Sequence, residues 1–233
     1  MTVCWFALFR QPDRTASPED LTWLAGMLAA TPRLARALIY TPTRAPDPYL
    51  NDGSPPALGL QLYFRTIGEL EAALAPDGHL QALTGPRALP SLAGAAVTQQ
   101  AMLVRRFPVA DPVIRSGANG RFCTYLVSYE GQAEDLNAWL SHYITHHPSI
   151  MARFPGIRAI EIDTRIDWCG FLPWPRVEAM QRNKVVFDSA EALTVALNSP
   201  VRHEMRADFV HFPPFTGPVT HFPMATMMVK PPA

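Results

Sequence analysis

Two copies of one β-α-β-β-α-β unit, giving an α+β fold, are what this 233-residue sequence predicts, and three observations carry the prediction. The order of strand-like and helix-like segments repeats along the chain. Residues 63–77, YFRTIGELEAALAPD, lie on 186–200, VFDSAEALTVALNSP, without a gap at an offset of 123 residues. This pairs Phe64 with Phe187, Thr66 with Ser189, Leu70 with Leu193 and Leu74 with Leu197. A Pro-rich stretch near the half-way point, RRFPVADPVIRSGANG (105–120), ends in a polar Gly/Asn-rich tail suited to a boundary, so the halves are expected at 1–115 and 116–233. This element order makes a ferredoxin-like sheet with its helices on one face. The bare faces of two such sheets are best hidden against each other. The expected architecture is tandem ferredoxin-like units packed face to face as an intramolecular α/β barrel.

The elements follow in order. TVCWFALFR (2–10) reads as a strand, and a helix follows over 17–30 with Ser17 as N-cap, Pro18 at its first position and Asp20 three residues on. Strands are expected at 36–41 and 58–65, a helix at 66–75 and a strand at 101–107. The second half repeats this with a strand at 122–130, a helix at 133–147, strands at 157–165 and 182–188, a helix at 189–198 and a strand at 225–230.

Composition narrows the function. Equal numbers of basic and acidic residues, 20 each, leave no basic footprint for a nucleic-acid partner. MTVCWFALFR lacks the charged and long apolar regions of a signal peptide, and no apolar run approaches the roughly 20 residues that span a bilayer. Three scattered cysteines without a CxxC pair suit a reduced, cytoplasmic compartment and supply no zinc site. Neither GxGxxG nor GxxxxGK[ST] occurs, so no nucleotide cofactor is expected.

The stretch WLSHYITHHPSIMARFPG (139–156) places three histidines within six positions of one helix. At 3.6 residues per turn Leu136, Leu140, Tyr143, Ile144, His147 and Met151 share a face, bordered by Trp139, His146 and Ile150, while His142 turns away. Three readings are open. His147 could be a packed histidine bonded to a backbone carbonyl. A metal would need His142 and His146, but HYITH lacks the glutamate of HExxH and nothing downstream completes a site, so no metal is expected. A histidine in a pocket could instead move a proton near neutral pH.

Strand alternation supplies the pocket's other candidates. In IEIDTRIDW (160–168) it separates Ile160, Ile162, Thr164 and Ile166 from Glu161, Asp163, Arg165 and Asp167. If the charged face lines the space between the sheets, Glu161 and Arg165 form a polar wall beside Tyr125, able to hold a carboxylate or phenolate. The cavity is expected between the second sheet and the end of the 133–147 helix, with Tyr125, Tyr143, His146 or His147, Arg165 and His221 contributing.

The second half resembles the EthD-like branch of the dimeric α/β-barrel superfamily. The features are Tyr129 and Gly131, Trp139 and Tyr143, His146 or His147, and Pro155–Gly156. Phe187–Asp188–Ser189, Ser199–Pro200 and a trailing Asp208 follow. Counting from Pro148 selects His146 as the functional histidine, and counting back from Pro155 selects His147. The first half has no histidine on its corresponding helix, so the second carries any chemistry. The resemblance implies a small cofactor-independent lyase or isomerase acting on an aromatic, lactone-like or related carbonyl compound. His146 or His147 with Tyr143 would then be catalytic, and Tyr125, Arg165, His221 and Trp139 would bind substrate. A non-catalytic small-molecule binding or accessory protein is the alternative, and both a monomer and a homodimer fit.

Overall fold

The computed structural model describes residues 2–117 and 119–232, so Ala118 of the expected boundary tail SGANG, with Met1 and Ala233, lies outside the described residues. The strands are β1 (Val3–Arg10), β2 (Arg36–Pro42), β3 (Leu58–Phe64), β4 (Ala96–Phe107), β5 (Arg121–Tyr129), β6 (Ile157–Arg165), β7 (Gln181–Phe187) and β8 (Val219–Val229). The helices are α1 (Pro18–Ala29), α2 (Ile67–Leu74), α3 (Leu136–Met151), α4 (Ala190–Leu197) and α5 (Pro200–Phe209). The strands close into one antiparallel barrel in the order β1-β3-β2-β8-β5-β7-β6-β4. Each half contributes four neighbouring strands, and the bare sheet faces turn inward as expected. The sheet edges also join, β2 to β8 from Ala37↔Val229 to Pro42↔Met224, and β4 to β6 from Met102↔Arg165 to Phe107↔Ile160. Closure leaves no strand edge unpaired.

The repeat of 123 residues is literal: Leu58–Phe64 and Ile67–Leu74 map onto Gln181–Phe187 and Ala190–Leu197 end to end. Their caps match too. The Thr66 and Ser189 hydroxyls accept from the Glu69 and Ala192 amides, each at 3.2 Å. Strands covered on both faces need apolar residues at nearly every position. In β1, Val3, Trp5, Ala7 and Phe9 face the helices, while Cys4, Phe6 and Leu8 face the barrel axis.

Several boundaries differ from expectation. β4 starts at Ala96, and β8 starts at Val219, which places His221 inside the last strand. α3 runs through Pro148 to Met151, because Pro148 and Met151 are both buried and packing outweighs the one backbone hydrogen bond a proline forfeits. α5 was not expected. Ser199–Pro200 reads as a stop, yet proline at the first helical position starts a helix instead.

Candidate functional site

α3 presents Trp139, Tyr143, His147 and Met151 at four-residue spacing to the outer face of the second sheet, and all four are buried. Opposite them stand Tyr125, Val127 and Tyr129 of β5 and Asn183, Val185 and Phe187 of β7. α5 closes one side with Arg202, Met205, Arg206 and Phe209, and Leu50 of the β2–β3 connection closes another. The cavity has a volume of about 100 Å³ and is walled mainly by aromatic and aliphatic side chains.

Two close neighbours on α3 take opposite positions. His146 is exposed, and its Nδ1 lies 2.9 Å from the His142 carbonyl oxygen of its own helix. His147 is 4% exposed and walls the cavity. Its Nδ1 is 2.6 Å from Asp208 Oδ2. That bond is the main reason the Asp208 carboxyl sits below its usual range, so the carboxylate accepts and Nδ1 carries the proton. Nε2 makes no hydrogen bond among the described residues and is left as the acceptor. Burial lowers the His147 pKa, and Asp208 opposes that shift only in part. The product is an oriented, neutral imidazole. Phe212 packs edge-on against it at 5.0 Å, and Tyr143 lies at 4.7 Å, its hydroxyl without a hydrogen-bond partner within reach among the described residues. Burial also pushes the Tyr143 phenol well up, so it stays protonated.

The segment bearing Phe212 is drawn in by a close backbone approach. A Cβ on Gly131 would stand 1.4 Å from the Thr216 carbonyl oxygen, so only glycine fits.

A second polar group comes from the first half. Residues 43–57, between β2 and β3, cross to the second half as an irregular strap. Asp47 Oδ2 accepts from the Tyr125 hydroxyl at 2.9 Å and from Arg202 Nε at 3.0 Å, with Arg202 Nη2 also at 2.9 Å. Asp52 Oδ2 meets the His221 amide at 2.7 Å and its Nδ1 at 2.8 Å, and this bonding holds the Asp52 carboxyl low. Tyr49 lies beneath both the Arg202 and Arg206 guanidinium groups.

Of the residues expected from sequence, the structure brings Tyr125, Tyr143, His147 and His221 to the cavity wall. Trp139 does not reach it. Fully buried, it stacks behind Tyr143 at 5.1 Å. Arg165 requires a correction. Strand alternation places Glu161 and Asp163 toward the barrel interior, the face opposite Tyr125, and Arg165 emerges at the strand end 3.9 Å from Glu178. No polar wall of Glu161 and Arg165 stands beside Tyr125. Sequence reasoning missed Asp47, Asp52 and Arg202, which sit in a Pro-rich connection and an unexpected helix. Asp208 was visible only as the trailing acid of the resemblance.

Among the described residues, no group of three or more His, Cys, Asp or Glu side chains is placed to hold a metal ion, and no helix is long and apolar enough to cross a membrane. No family model and no curated protein matches the chain. Among solved structures, 98% of the chain is similar to 93% of an anthrone oxidase-like protein, at 12% identity and a TM-score of 0.61. It is also similar to two proteins called "putative monooxygenase". The one from Lactobacillus acidophilus NCFM has 12% identity, 98% and 96% coverage and a TM-score of 0.55. The one from Fusobacterium nucleatum has 6% identity, 98% and 94% coverage and a TM-score of 0.54. At such identities the shared property is the barrel fold.

Proposed function

We propose that the protein is a cofactor-independent enzyme, a lyase or isomerase, in which His147 moves a proton on a small aromatic or lactone-like carbonyl compound. The observation that carries this is the His147–Asp208 pair at 2.6 Å on the wall of a mainly apolar cavity. A packed histidine needs only an acceptor for one nitrogen. Here the acceptor is a carboxylate, which fixes the tautomer and stabilises the imidazolium that forms when Nε2 takes a proton. Tyr143, held protonated beside the imidazole, can donate to the oxygen on which charge develops. The apolar walls suit a ring-bearing compound, and the low polarity around them strengthens each of these interactions. Relationship to EthD-like proteins belongs to the same proposal, since Trp139, Tyr143, Asp208 and one of His146 or His147 are among the residues on which that resemblance rests.

The test is solvent exchange. Enolisable aromatic ketones and lactones are incubated with the protein in deuterated water, and loss of the carbon-bound proton is followed by nuclear magnetic resonance. The wild type and His146→Gln should exchange a cognate compound at equal rates, and His147→Gln should lose roughly 10²–10⁴-fold while still folding and binding. Full exchange by His147→Gln overturns the assignment. Binding without exchange by any variant is what the alternative, a non-catalytic small-molecule binder, would give. A product that gains oxygen overturns the lyase or isomerase reading.

A further inference from the structure

We propose that the ligand of this cavity is an anion whose oxygen takes the place of Asp47 Oδ2 between Tyr125 and Arg202, with Arg206 supplying a second positive charge. This rests on the reading of the cavity as a ligand site and names the class of ligand.

Three donors from two wall residues converge on that one oxygen: the Tyr125 hydroxyl at 2.9 Å, Arg202 Nε at 3.0 Å and Arg202 Nη2 at 2.9 Å. Such a cradle is built for an oxyanion, a carboxylate or a phenolate. Its present occupant is not part of the wall. Asp47 rides on the 43–57 strap, which has no helix or strand of its own, and its other oxygen already accepts from the Tyr49 amide at 2.8 Å. The strap meets the second half through Asp47 on Arg202, Asp52 on His221 and Tyr49 beneath Arg202 and Arg206, with Ala45 in the apolar core and Leu50 at the cavity. The strap belongs to no sheet ladder or helix, and water or a ligand can take over its polar partners, so it is the side of the cavity most able to yield. When it yields, Arg202 loses its carboxylate, and only 12% of that side chain is exposed. A neutral ligand would leave a buried guanidinium unpaired, whereas an anion restores the pair. Arg206 adds to the preference. It lies one helical turn along, also walls the cavity, and forms no ion pair among the described residues. Asp47 is thus an internal competitor that keeps the cradle formed and rejects uncharged ring compounds.

The probes are 2-naphthoate and its neutral counterpart 2-naphthamide, titrated into the full-length protein by calorimetry at low and high salt. The wild type should prefer the acid, and Asp47→Asn should strengthen acid binding roughly tenfold and amide binding by clearly less. Arg206→Gln, at an exposed position that leaves the fold intact, should weaken the acid severalfold and spare the amide. His147→Gln should keep the preference, so failure of the acid–base reading and failure of this one give different results. Should Asp47→Asn not fold, Arg206→Gln and the charge-neutral double variant Asp47→Asn/Arg202→Gln decide, the latter losing most of the preference for the acid and keeping only the part Arg206 supplies. Equal affinity for the two probes overturns the proposal, as does binding of neither, or weaker acid binding by folded Asp47→Asn.

Discussion

Burial strips water from His147 and disfavours its charged form, while Asp208 at 2.6 Å favours it, and the balance leaves the pKa below the ordinary value of about 6.5. A base must be neutral to accept a proton. Exchange should therefore be flat with pH through neutrality and fall only on the acid side, below the usual imidazole range. Asp208→Asn removes the group that supports the imidazolium, so the acid limb should move to still lower pH while the plateau drops. A pH–rate profile of both proteins checks this. The same shift governs stability. With the folded pKa depressed, the contribution of His147 is fully present above about 6.5 and is lost as pH falls through the folded value. Urea midpoints between neutral and mildly acid pH should fall in the wild type and fall less in His147→Gln. Tyr143, His147 and Met151 were legible in the sequence as part of an apolar stripe, whose buried line in the structure runs through Trp139, placed at the border, and not through Leu136, Leu140 and Ile144. What was not legible was the choice between His146 and His147, which depends on α3 continuing through Pro148 and on an acid from α5.

At the scale of elements, two connections of equal length decide why the second half holds this cavity and the corresponding place in the first half does not. The 43–57 strap crosses to the second half, and residues 166–180, at the same place in the repeat, cross to the first. In register, Val3 opposes Phe64 as Cys123 opposes Phe187, so Trp5 occupies the place of Tyr125. Trp5 donates to Gln99 at 3.2 Å, and the 166–180 arm lays Trp174 against it at 6.3 Å and against Phe9 at 5.4 Å. Gln99 Nε2 in turn donates to the Leu172 and Trp174 carbonyls at 3.1 and 2.7 Å. The first half's counterpart of the cavity is filled with indole. Trp174→Ala should empty it, at about 1–3 kcal/mol of stability in urea denaturation because the side chain is only partly buried, and indole should recover part of that loss. A cost below 1 kcal/mol would mean that the arm collapses into the space or never packed there. Strands, caps and the repeat were legible because each is a local pattern of residue types. The two arms were not, since a Pro-rich run such as TPTRAPDPYLNDGSPP looks the same wherever it docks.

At the scale of the whole molecule, the repeat brings its own equivalent residues face to face. Gln61 and Lys184, 123 positions apart, meet inside the barrel with Lys184 Nζ donating to Gln61 Oε1 at 3.0 Å. Around them lie Glu161, at 2.8 Å from Lys184, the Tyr63 hydroxyl bonded to both, and Asp163 at 3.0 Å from Gln61 Nε2. Arg36 reaches Glu161 from the barrel end at 3.1 Å. Divergence of one position to lysine and the other to glutamine therefore placed a single cation where two identical repeats would have set two like groups together. Burial lowers the Lys184 pKa against the pull of Glu161, and raises that of Asp163, which also faces Glu161. The cluster joins strands of both halves across the closed barrel, so removing its cation should be felt by the whole fold. Lys184→Met leaves Glu161 buried without its nearest charge and should cost about 3–5 kcal/mol in urea denaturation. Lys184→Met/Glu161→Gln removes both charges, keeps an acceptor for Tyr63, and should recover much of that loss. Because no group of the cavity is touched, ligand binding per folded molecule should persist in both variants. A single variant as stable as the wild type would show that Arg36 and the protein's hydrogen bonds carry Glu161 without Lys184, and that closure rests on the strand seams alone.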